Sequence, residues 1–216
     1  MSILTQTKIF CVILGGGGHA RVVVDCLKSL GAAHPCAVLD QDRSLWGKEV
    51  LGVPIRGGLE LLPKLKAEGA TYFVPAVGGV GDNNPRRRIF DAGLQHGLTA
   101  LTLIHPSATV SPHAQIGQGT VIFAGAIINA GVIIGDNCII NTGAIIDHDC
   151  RIGDHVHIAP GAVLSGEVCV ARSAHLGTGA SVIQGIHIGE EAIVGAGGVV
   201  VRNISPRSVV KGVPAK

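Results

Sequence analysis

The chain has 216 residues, enough for one large domain or two modest ones, each with its own core. Its formal net charge is +2 and its longest basic run is Arg86–Arg88, which argues against nucleic acid or a membrane surface as partner. The N-terminus lacks the pattern of a signal peptide, and the six cysteines form no CxxC pair. We therefore expect a cytoplasmic protein with reduced thiols.

Residues 1–103 predict an α/β domain with a small parallel, Rossmann-like sheet. Predicted elements follow one another as βαβαβ. They are a strand over 8–14, a helix over 21–30, a strand ending at residue 40, a helix near 59–67, a strand over 71–77 and a helix near 85–95.

A glycine-rich turn follows the first predicted strand. Gly15-x-Gly17-x-x-Ala20 fits a phosphate-binding loop, in which backbone N–H groups approach a pyrophosphate at a helix N-terminus. Asp40, at the end of the second strand, is placed to hold ribose or base hydroxyls. The motif alone is compatible with NAD or with a purely structural turn. The small size of the domain favours a mononucleotide or a nucleotide-linked sugar.

Residues 104–216 carry a strict period of six. Every sixth residue from Ile104 to Val200 is aliphatic, and the residue four places later is small or apolar. Neither an α-helix nor an ordinary strand produces this period, whereas a hexapeptide β-solenoid does. We expect three hexads to close a triangular coil of about 18 residues, giving an all-β left-handed parallel β-helix with one continuous aliphatic core.

His148 lies two places after an aliphatic position, where the side chain points out of the predicted prism, and Asp149 follows it. A histidine beside a carboxylate is suited to act as a general base. Gly166 occupies the equivalent position of the next predicted coil, so its N–H is predicted to lie near the imidazole and to stabilise an oxyanion. An exposed pair of this kind is also common on ordinary solvated surface.

The chain resembles the hexapeptide-repeat sugar acetyltransferases of the sialic-acid O-acetyltransferase type. Within them it is most similar to the N-acetyltransferases of nucleotide-linked 4-amino-4,6-dideoxy sugars, such as bacillosamine and perosamine precursors. The resemblance covers almost the whole chain. It rests on GGGGHA at 15–20, GDN at 81–83 followed by residues 86–89, HPSA at 105–108, INTGAIIDHDCRIG at 140–153 and GVPAK at 212–216.

The resemblance implies direct transfer from acetyl-CoA, without an acyl-enzyme or a metal, in a homotrimer with sites between subunits. His148 would be the base, Asp149 would raise its basicity, and Gly166 would supply the oxyanion N–H. Asn141 would help to place the amine. The remaining implied residues fall into two sets, the acetyl-CoA set His157, Thr178 and Ala196, and the nucleotide-sugar set Gly17, Gly18, His19, Asp40 and either Gly78 or Gly81.

Several alternatives stay open at this point. One alternative is a sialic-acid type O-acetyltransferase, in which the acceptor is a sugar hydroxyl. Another is a protein that binds a nucleotide sugar without catalysis. His157 and His175, one coil apart, resemble part of the zinc site of γ-class carbonic anhydrases, although His187 lies on another side of the triangle. The sequence does not distinguish UDP-linked from GDP-linked sugars.

Overall fold

The computed structural model describes residues 9–31 and 33–216, so the predicted strand residue Lys8 lies outside the described residues. The front domain consists of short elements in an alternating order. They are β1 (Ile9–Leu14), α1 (Gly18–Leu30), β2 (Ala33–Leu39), β3 (Glu49–Val50), β4 (Val53–Gly57), α2 (Leu62–Ala67), β5 (Tyr72–Pro75), α3 (Asn84–Gln95) and β6 (Thr99–Ala100).

The front sheet has the strand order β3-β4-β2-β1-β5-β6. All its pairs are parallel except β3 with β4. The expected parallel α/β sheet is confirmed, but β3, β4 and β6 were not predicted. These strands lie at or near the sheet edges. β3 and β6 have only two residues each, too few for an apolar pattern, whereas the five residues of β4 alternate in burial. Helix α1 begins at Gly18 rather than at residue 21, because its first turn starts directly at the glycine loop.

The rest of the chain forms a parallel left-handed β-helix of very short strands, β7 to β24. They stack in three sheets, which we name the covered, open and far faces. The covered face contains Leu103–Ile104, Val121–Ile122, Ile139–Ile140, His157–Ile158, His175–Leu176, Ile193–Val194 and Val209–Val210. The open face contains Thr109–Val110, Ile127–Ile128, Ile145–Ile146, Val163–Leu164, Ser181–Val182 and Val199–Val200, and the far face contains Gln115–Ile116, Ile133–Ile134, Arg151–Ile152, Cys169–Val170 and His187–Ile188.

The period of six has a direct structural meaning. Each aliphatic position predicted from Ile104 to Val200 is the second residue of a strand. From Ile122 onward all these side chains are buried in a single core. Neighbouring coils pair in a constant register, so that Ile122 lies beside Ile140 and Ile140 beside Ile158. The last coil is shorter, since Val194 pairs with Val210 rather than with Gly212, the equivalent position of a full coil.

The turns between strands stack into three edges, named by the faces that they join. Residues 141–144 belong to the covered–open edge, residues 147–150 to the open–far edge and residues 153–156 to the far–covered edge. In the regular coils, equivalent positions of successive coils lie on the same edge.

The front domain packs on the covered face. One core cluster joins Ile13 of β1 and Val24 of α1 to Leu103, Val121 and Ile139 of that face. The two parts of the chain therefore share apolar packing. Within residues 9–31 and 33–216, no helix has the length and apolarity that crossing a bilayer requires.

Candidate active site

His148 and Asp149 form a hydrogen-bonded pair on the open–far edge. Nδ1 of His148 lies 2.9 Å from Oδ2 of Asp149, and the two side chains are 50% and 64% exposed. Because the carboxylate engages Nδ1, Nε2 is the ring nitrogen left for an incoming proton. The pair has the arrangement of an oriented general base.

The turn that carries His148 is fixed from the preceding coil. Oδ1 of Asp147 accepts hydrogen bonds from the His148 backbone N–H at 2.8 Å and from Nδ2 of Asn129 at 2.8 Å. Sequence reasoning missed both supporting residues. The signal that could have found them is their separation by one full coil, which places Asn129 and Asp147 at equivalent positions of adjacent coils.

The electrostatics of this edge favour a basic imidazole. The pKa of His148 is raised above its ordinary value, chiefly because Asp149 accepts its hydrogen bond and further because the carboxylates of Asp147 and Glu167 lie nearby. A higher pKa makes the neutral ring a stronger proton acceptor, while more of it is protonated at a given pH.

Gly166 adjoins the imidazole, as its position in the next coil predicted. A Cβ built on Gly166 would lie 2.6 Å from Cε1 and 2.6 Å from Nε2 of His148. Throughout the described chain, no carbonyl accepts from the Gly166 N–H. The open–far edge therefore places a free backbone N–H beside Nε2 of His148. Addition of a nucleophile to a carbonyl carbon requires both a base that takes the proton and a donor that stabilises the oxyanion.

Replacing Gly166 with alanine is expected to impair catalysis more than folding. The new methyl group would push the exposed His148 ring away, and displacements of about 1 Å can cost about 10²-fold in rate. The free energy of unfolding is expected to change by less than about 1 kcal/mol, because the ring is free to move into solvent. Steady-state turnover and urea denaturation test this. The neighbouring Ser165→Ala variant serves as control, and an unchanged rate for Gly166→Ala would contradict the prediction.

Asn141, Thr178 and Ala196 lie on a different edge from His148. All three belong to the covered–open edge, and Thr178 and Ala196 are one coil apart, where the Gly197 N–H donates to the Thr178 carbonyl at 2.8 Å. The open face separates this edge from the open–far edge. A single chain therefore does not bring these residues together with His148.

His157 is covered by the front domain rather than by solvent. Its Nδ1 donates to the Gly79 carbonyl at 2.7 Å, and its Nε2 lies 3.2 Å from Nδ2 of Asn141. Burial lowers its pKa to about 4, so the ring is neutral at pH 7. With Nδ1 donating, Nε2 accepts from the Asn141 amide. The Oδ1 atom of Asn141 accepts from the Thr142 N–H at 2.8 Å, so the amide is held at both ends.

His157 and His175 touch each other where the front domain meets the β-helix. Their ring centroids are 4.8 Å apart in an edge-to-face arrangement, and the side chains are buried. No group of three or more His, Cys, Asp or Glu side chains in the described ranges is placed to hold a metal ion. His187 lies on the far face, away from the pair. In this structure His157 donates to the Gly79 carbonyl, and His175 packs against the His157 ring.

The front domain carries a cavity of about 390 Å³ at the carboxyl ends of β1, β2 and β5. This is where the strand order reverses around β1, the usual ligand position in open α/β sheets. Asp40 lines the cavity and also fixes the glycine loop, since its Oδ2 accepts from the Gly16 N–H and its Oδ1 from the Asp42 N–H. Gly17 and Gly18 are exposed at the start of α1, where no side chain caps the helix.

Gly78 and Gly81, the two alternatives for the last glycine of the predicted nucleotide-sugar set, have different surroundings in the structure. Gly78 adjoins His19, whose Cβ lies 3.8 Å from a Cβ built at Gly78. Gly81 instead lines a polar hollow together with Ser173 and Arg207 of the β-helix. His19 itself packs edge-to-face on Phe123 at 5.4 Å, and burial lowers its pKa to about 3. Gly78 is therefore the one of the two glycines that lies next to the glycine-rich loop.

Comparison with known protein families divides the chain in the same way. Residues 11–92 match the PglD N-terminal domain. Residues 113–148 and 131–166 match the bacterial transferase hexapeptide, and residues 174–202 match the hexapeptide repeat of succinyl-transferase. Each match falls on the part of the structure that its description fits.

Individual relatives match both parts of the chain together. PerB from Caulobacter crescentus, solved with CoA and GDP-perosamine, is 45% identical over 95% of each chain, with a TM-score of 0.89. A mutant of perosamine N-acetyltransferase from the same organism, solved with the same two ligands, is 43% identical over 95% of each chain, with a TM-score of 0.89. The acetyltransferase domain of PglB from Neisseria gonorrhoeae FA1090, solved with acetyl coenzyme A, is 40% identical over 97% of this chain and 98% of that one, with a TM-score of 0.88.

A curated relative matches over a shorter stretch. UDP-N-acetylbacillosamine N-acetyltransferase from Bacillus subtilis (strain 168) is 45% identical over 114 residues, which is 52% of this chain and 50% of the relative. The match thus spans about half of that protein's length. Over almost its entire length, however, this chain shares sequence and fold with the solved enzymes. The chain therefore belongs to the hexapeptide-repeat family of nucleotide-sugar N-acetyltransferases.

Proposed function

We propose that the chain transfers the acetyl group of acetyl-CoA to the 4-amino group of a nucleotide-linked 4-amino-4,6-dideoxy sugar. The observation that carries this proposal is the His148–Asp149 pair beside the free Gly166 N–H on a hexapeptide β-helix. Similarity to enzymes solved with CoA and GDP-perosamine supports the same donor and acceptor classes.

Transfer proceeds in one ternary complex. Nε2 of His148 removes a proton from the sugar amine while the nitrogen attacks the thioester carbon, so that a C–N bond forms and the carbonyl oxygen becomes an oxyanion. The Gly166 N–H donates to that oxyanion. Collapse of the intermediate breaks the C–S bond, and the proton held by His148 passes to the departing CoA sulfur. No protein nucleophile is needed, and Cys150 points into the core, where it is buried.

The arrangement of the edges supports an assembled active site. The open face presents apolar outward side chains, with Ile127 and Val163 each 36% exposed, and it separates the His148 edge from the edge of Asn141 and Thr178. A second copy packed along the open face would bring the two edges together. We propose a homotrimer in which one subunit provides His148 and a neighbour provides the Thr178 and Ala196 edge for acetyl-CoA.

We assign the protein to the cytoplasm. All six cysteines are free thiols. Burial raises the pKa of Cys150 to about 11, so this thiol stays protonated and unreactive. Reduced, buried cysteines are typical of proteins from reducing compartments.

The proposed activity is tested by thiol release from acetyl-CoA in the presence of UDP- and GDP-linked 4-amino sugars. N-acetylneuraminic acid serves as the hydroxyl acceptor. Turnover with an amino sugar is the expected result. Turnover only with the sialic acid would assign the protein to O-acetylation, and absence of turnover with every acceptor would contradict the proposal.

Replacing Asp149 with asparagine is expected to shift the pH profile of catalysis. His148 acts in its neutral form, so kcat/KM rises with pH through its pKa, which lies above the ordinary value of 6.5. Without the carboxylate that is the main cause of the raised pKa, the rising limb moves to lower pH. The plateau is expected to fall by roughly tenfold, because the neutral asparagine oxygen accepts a weaker hydrogen bond from the protonated ring than a carboxylate does.

Glu167→Gln is the matched control for this pH experiment. Glu167 is a minor cause of the raised pKa of His148 and makes no side-chain hydrogen bond with the ring. Its removal is expected to shift the profile in the same direction but by less. A profile of the Asp149→Asn variant that coincides with that of the wild type would show that Asp149 does not tune His148.

A further inference from the structure

Beside the front-domain cavity lies a second hollow of about 270 Å³. The two hollows share Gln41 and Leu59 in their walls, so they adjoin each other. The first lies at the carboxyl ends of β1, β2 and β5 beside Gly15. The second is bounded by the segment after β2 and by the turn that follows β4. A ligand longer than a diphosphate sugar would extend from one into the other.

The first hollow has the chemistry of a diphosphate site. Gly15 lies in its wall, and α1 begins just after it at Gly18, with backbone N–H groups that no side chain caps. Arg88 of α3 also lies in the wall, and within the described residues its guanidinium takes part in no ion pair. Asp40, the acidic residue there, already accepts from two backbone amides. Arg88 is therefore the cation available to the diphosphate.

The second hollow combines an aromatic ring, a cation and an anion. The Arg43 guanidinium lies 5.5 Å from the ring centroid of Trp46. Oε1 of Glu60 accepts from the Gly58 N–H at 3.1 Å, whereas Oε2 accepts from no donor in the described chain. The Arg43 guanidinium likewise has no hydrogen-bond or ion-pair partner there. The hollow thus holds a free guanidinium and a free carboxylate oxygen beside an exposed aromatic face.

Guanine matches this set of groups better than uracil does. Guanine presents two adjacent acceptors, O6 and N7, which suit arginine, and two adjacent donors, N1–H and N2–H, which suit a carboxylate. Uracil has one ring N–H between two carbonyls, so a carboxylate that approaches it faces acceptor oxygens on both sides. Adenine places the N1 acceptor where guanine has a donor, and a carboxylate would repel it.

We infer that the second hollow selects guanine, so that the acceptor is a GDP-linked amino sugar rather than a UDP-linked one. Glu60 and Arg43 determine this specificity, and Arg88 binds the diphosphate. For the class of sugar, the inference rests on the proposed function. The choice of nucleotide does not depend on that function and follows from the residues of the two hollows.

The chain contains a single tryptophan, Trp46, so nucleotide binding can be followed directly by its fluorescence. In titrations of the full chain with GDP and with UDP, GDP is expected to change the signal at a concentration at least about tenfold lower, since a good bidentate contact discriminates by that much. Glu60→Gln is expected to remove most of this preference. Glu49→Gln, an exposed glutamate outside both hollows, is the matched control and is expected to retain it.

Arg88→Ala is expected to weaken binding of both nucleotides equally, because it loses a diphosphate contact and not a base contact. Equal or tighter binding of UDP, or an unchanged preference in Glu60→Gln, would overturn the inference. Acetyl transfer to a UDP-linked amino sugar with none to its GDP-linked counterpart would overturn it while leaving the proposed function intact. Preferential binding of GDP without any acetyl transfer would contradict the proposed function and leave standing the selection of guanine by the second hollow.

Discussion

Acetyl transfer by a His148→Ala variant is expected to be slower than that of the wild type by a factor of about 10² to 10⁴, the usual contribution of a positioned general base. His148 is the imidazole that combines a raised pKa, a carboxylate partner at 2.9 Å and a neighbouring free N–H. The loss is expected in kcat, with KM for acetyl-CoA nearly unchanged, because the covered–open edge proposed for acetyl-CoA is untouched.

His187→Ala is the matched control for this experiment. His187 is an exposed histidine on the far face, and its replacement is expected to leave the rate unchanged. Initial rates of thiol release and calorimetric binding of CoA give the two readouts. Full transfer by the His148→Ala variant would contradict the assignment of His148 as the base.

The β-helix could be predicted almost completely because its period is set by packing alone. Each coil buries one aliphatic side chain per strand, so Ile122, Ile140 and Ile158 must recur at the same place in every coil if the coils are to stack. The same spacing predicted that Gly166 lies against His148. Contacts along one edge thus follow from counting positions along the sequence.

Contacts between the front domain and the β-helix could not be predicted in this way. The His157 side chain leaves the prism, but the Gly79 carbonyl covers it. No period relates residue 79 to residue 157. The separation of Asn141 from His148, by contrast, does follow from the count, because the two residues fall in successive turns that belong to different edges. Hydrogen bonds across the contact depend on how the two parts of the chain are oriented.

Arg86 is expected to have the largest effect on stability of any single side chain in this contact. It is 1% exposed, and three of its guanidinium hydrogen bonds reach the carbonyls of Pro75 at 2.8 Å, Val77 at 3.1 Å and Asn137 at 3.1 Å. A fourth reaches Gly119 at 3.3 Å. Burial lowers its pKa to about 9, so the group still carries its charge at pH 7.

Arg86→Ala is expected to lower the free energy of unfolding by about 3 to 5 kcal/mol, because four carbonyls lose their donor and a cavity remains. Arg87→Ala is the matched control. Its side chain is partly exposed and makes a 3.9 Å ion pair with Asp91, so a change within about 0.5 kcal/mol is expected. Urea denaturation measures both, and similar stabilities for the two variants would contradict the assigned role.

The position of the Arg86 hydrogen bonds also predicts how the variant unfolds. Pro75 and Val77 belong to the front domain, whereas Gly119 and Asn137 belong to the far–covered edge of the β-helix. Removing the guanidinium therefore weakens the link between two units that each have a core of their own. In the Arg86→Ala variant, Trp46 fluorescence is expected to report front-domain unfolding at a lower urea concentration than the loss of β-sheet circular dichroism.

Coincident transitions indicate a single cooperative unit. If the two transitions of this variant coincide, the apolar packing of the covered face against β1 and α1 is sufficient to couple the two parts of the chain.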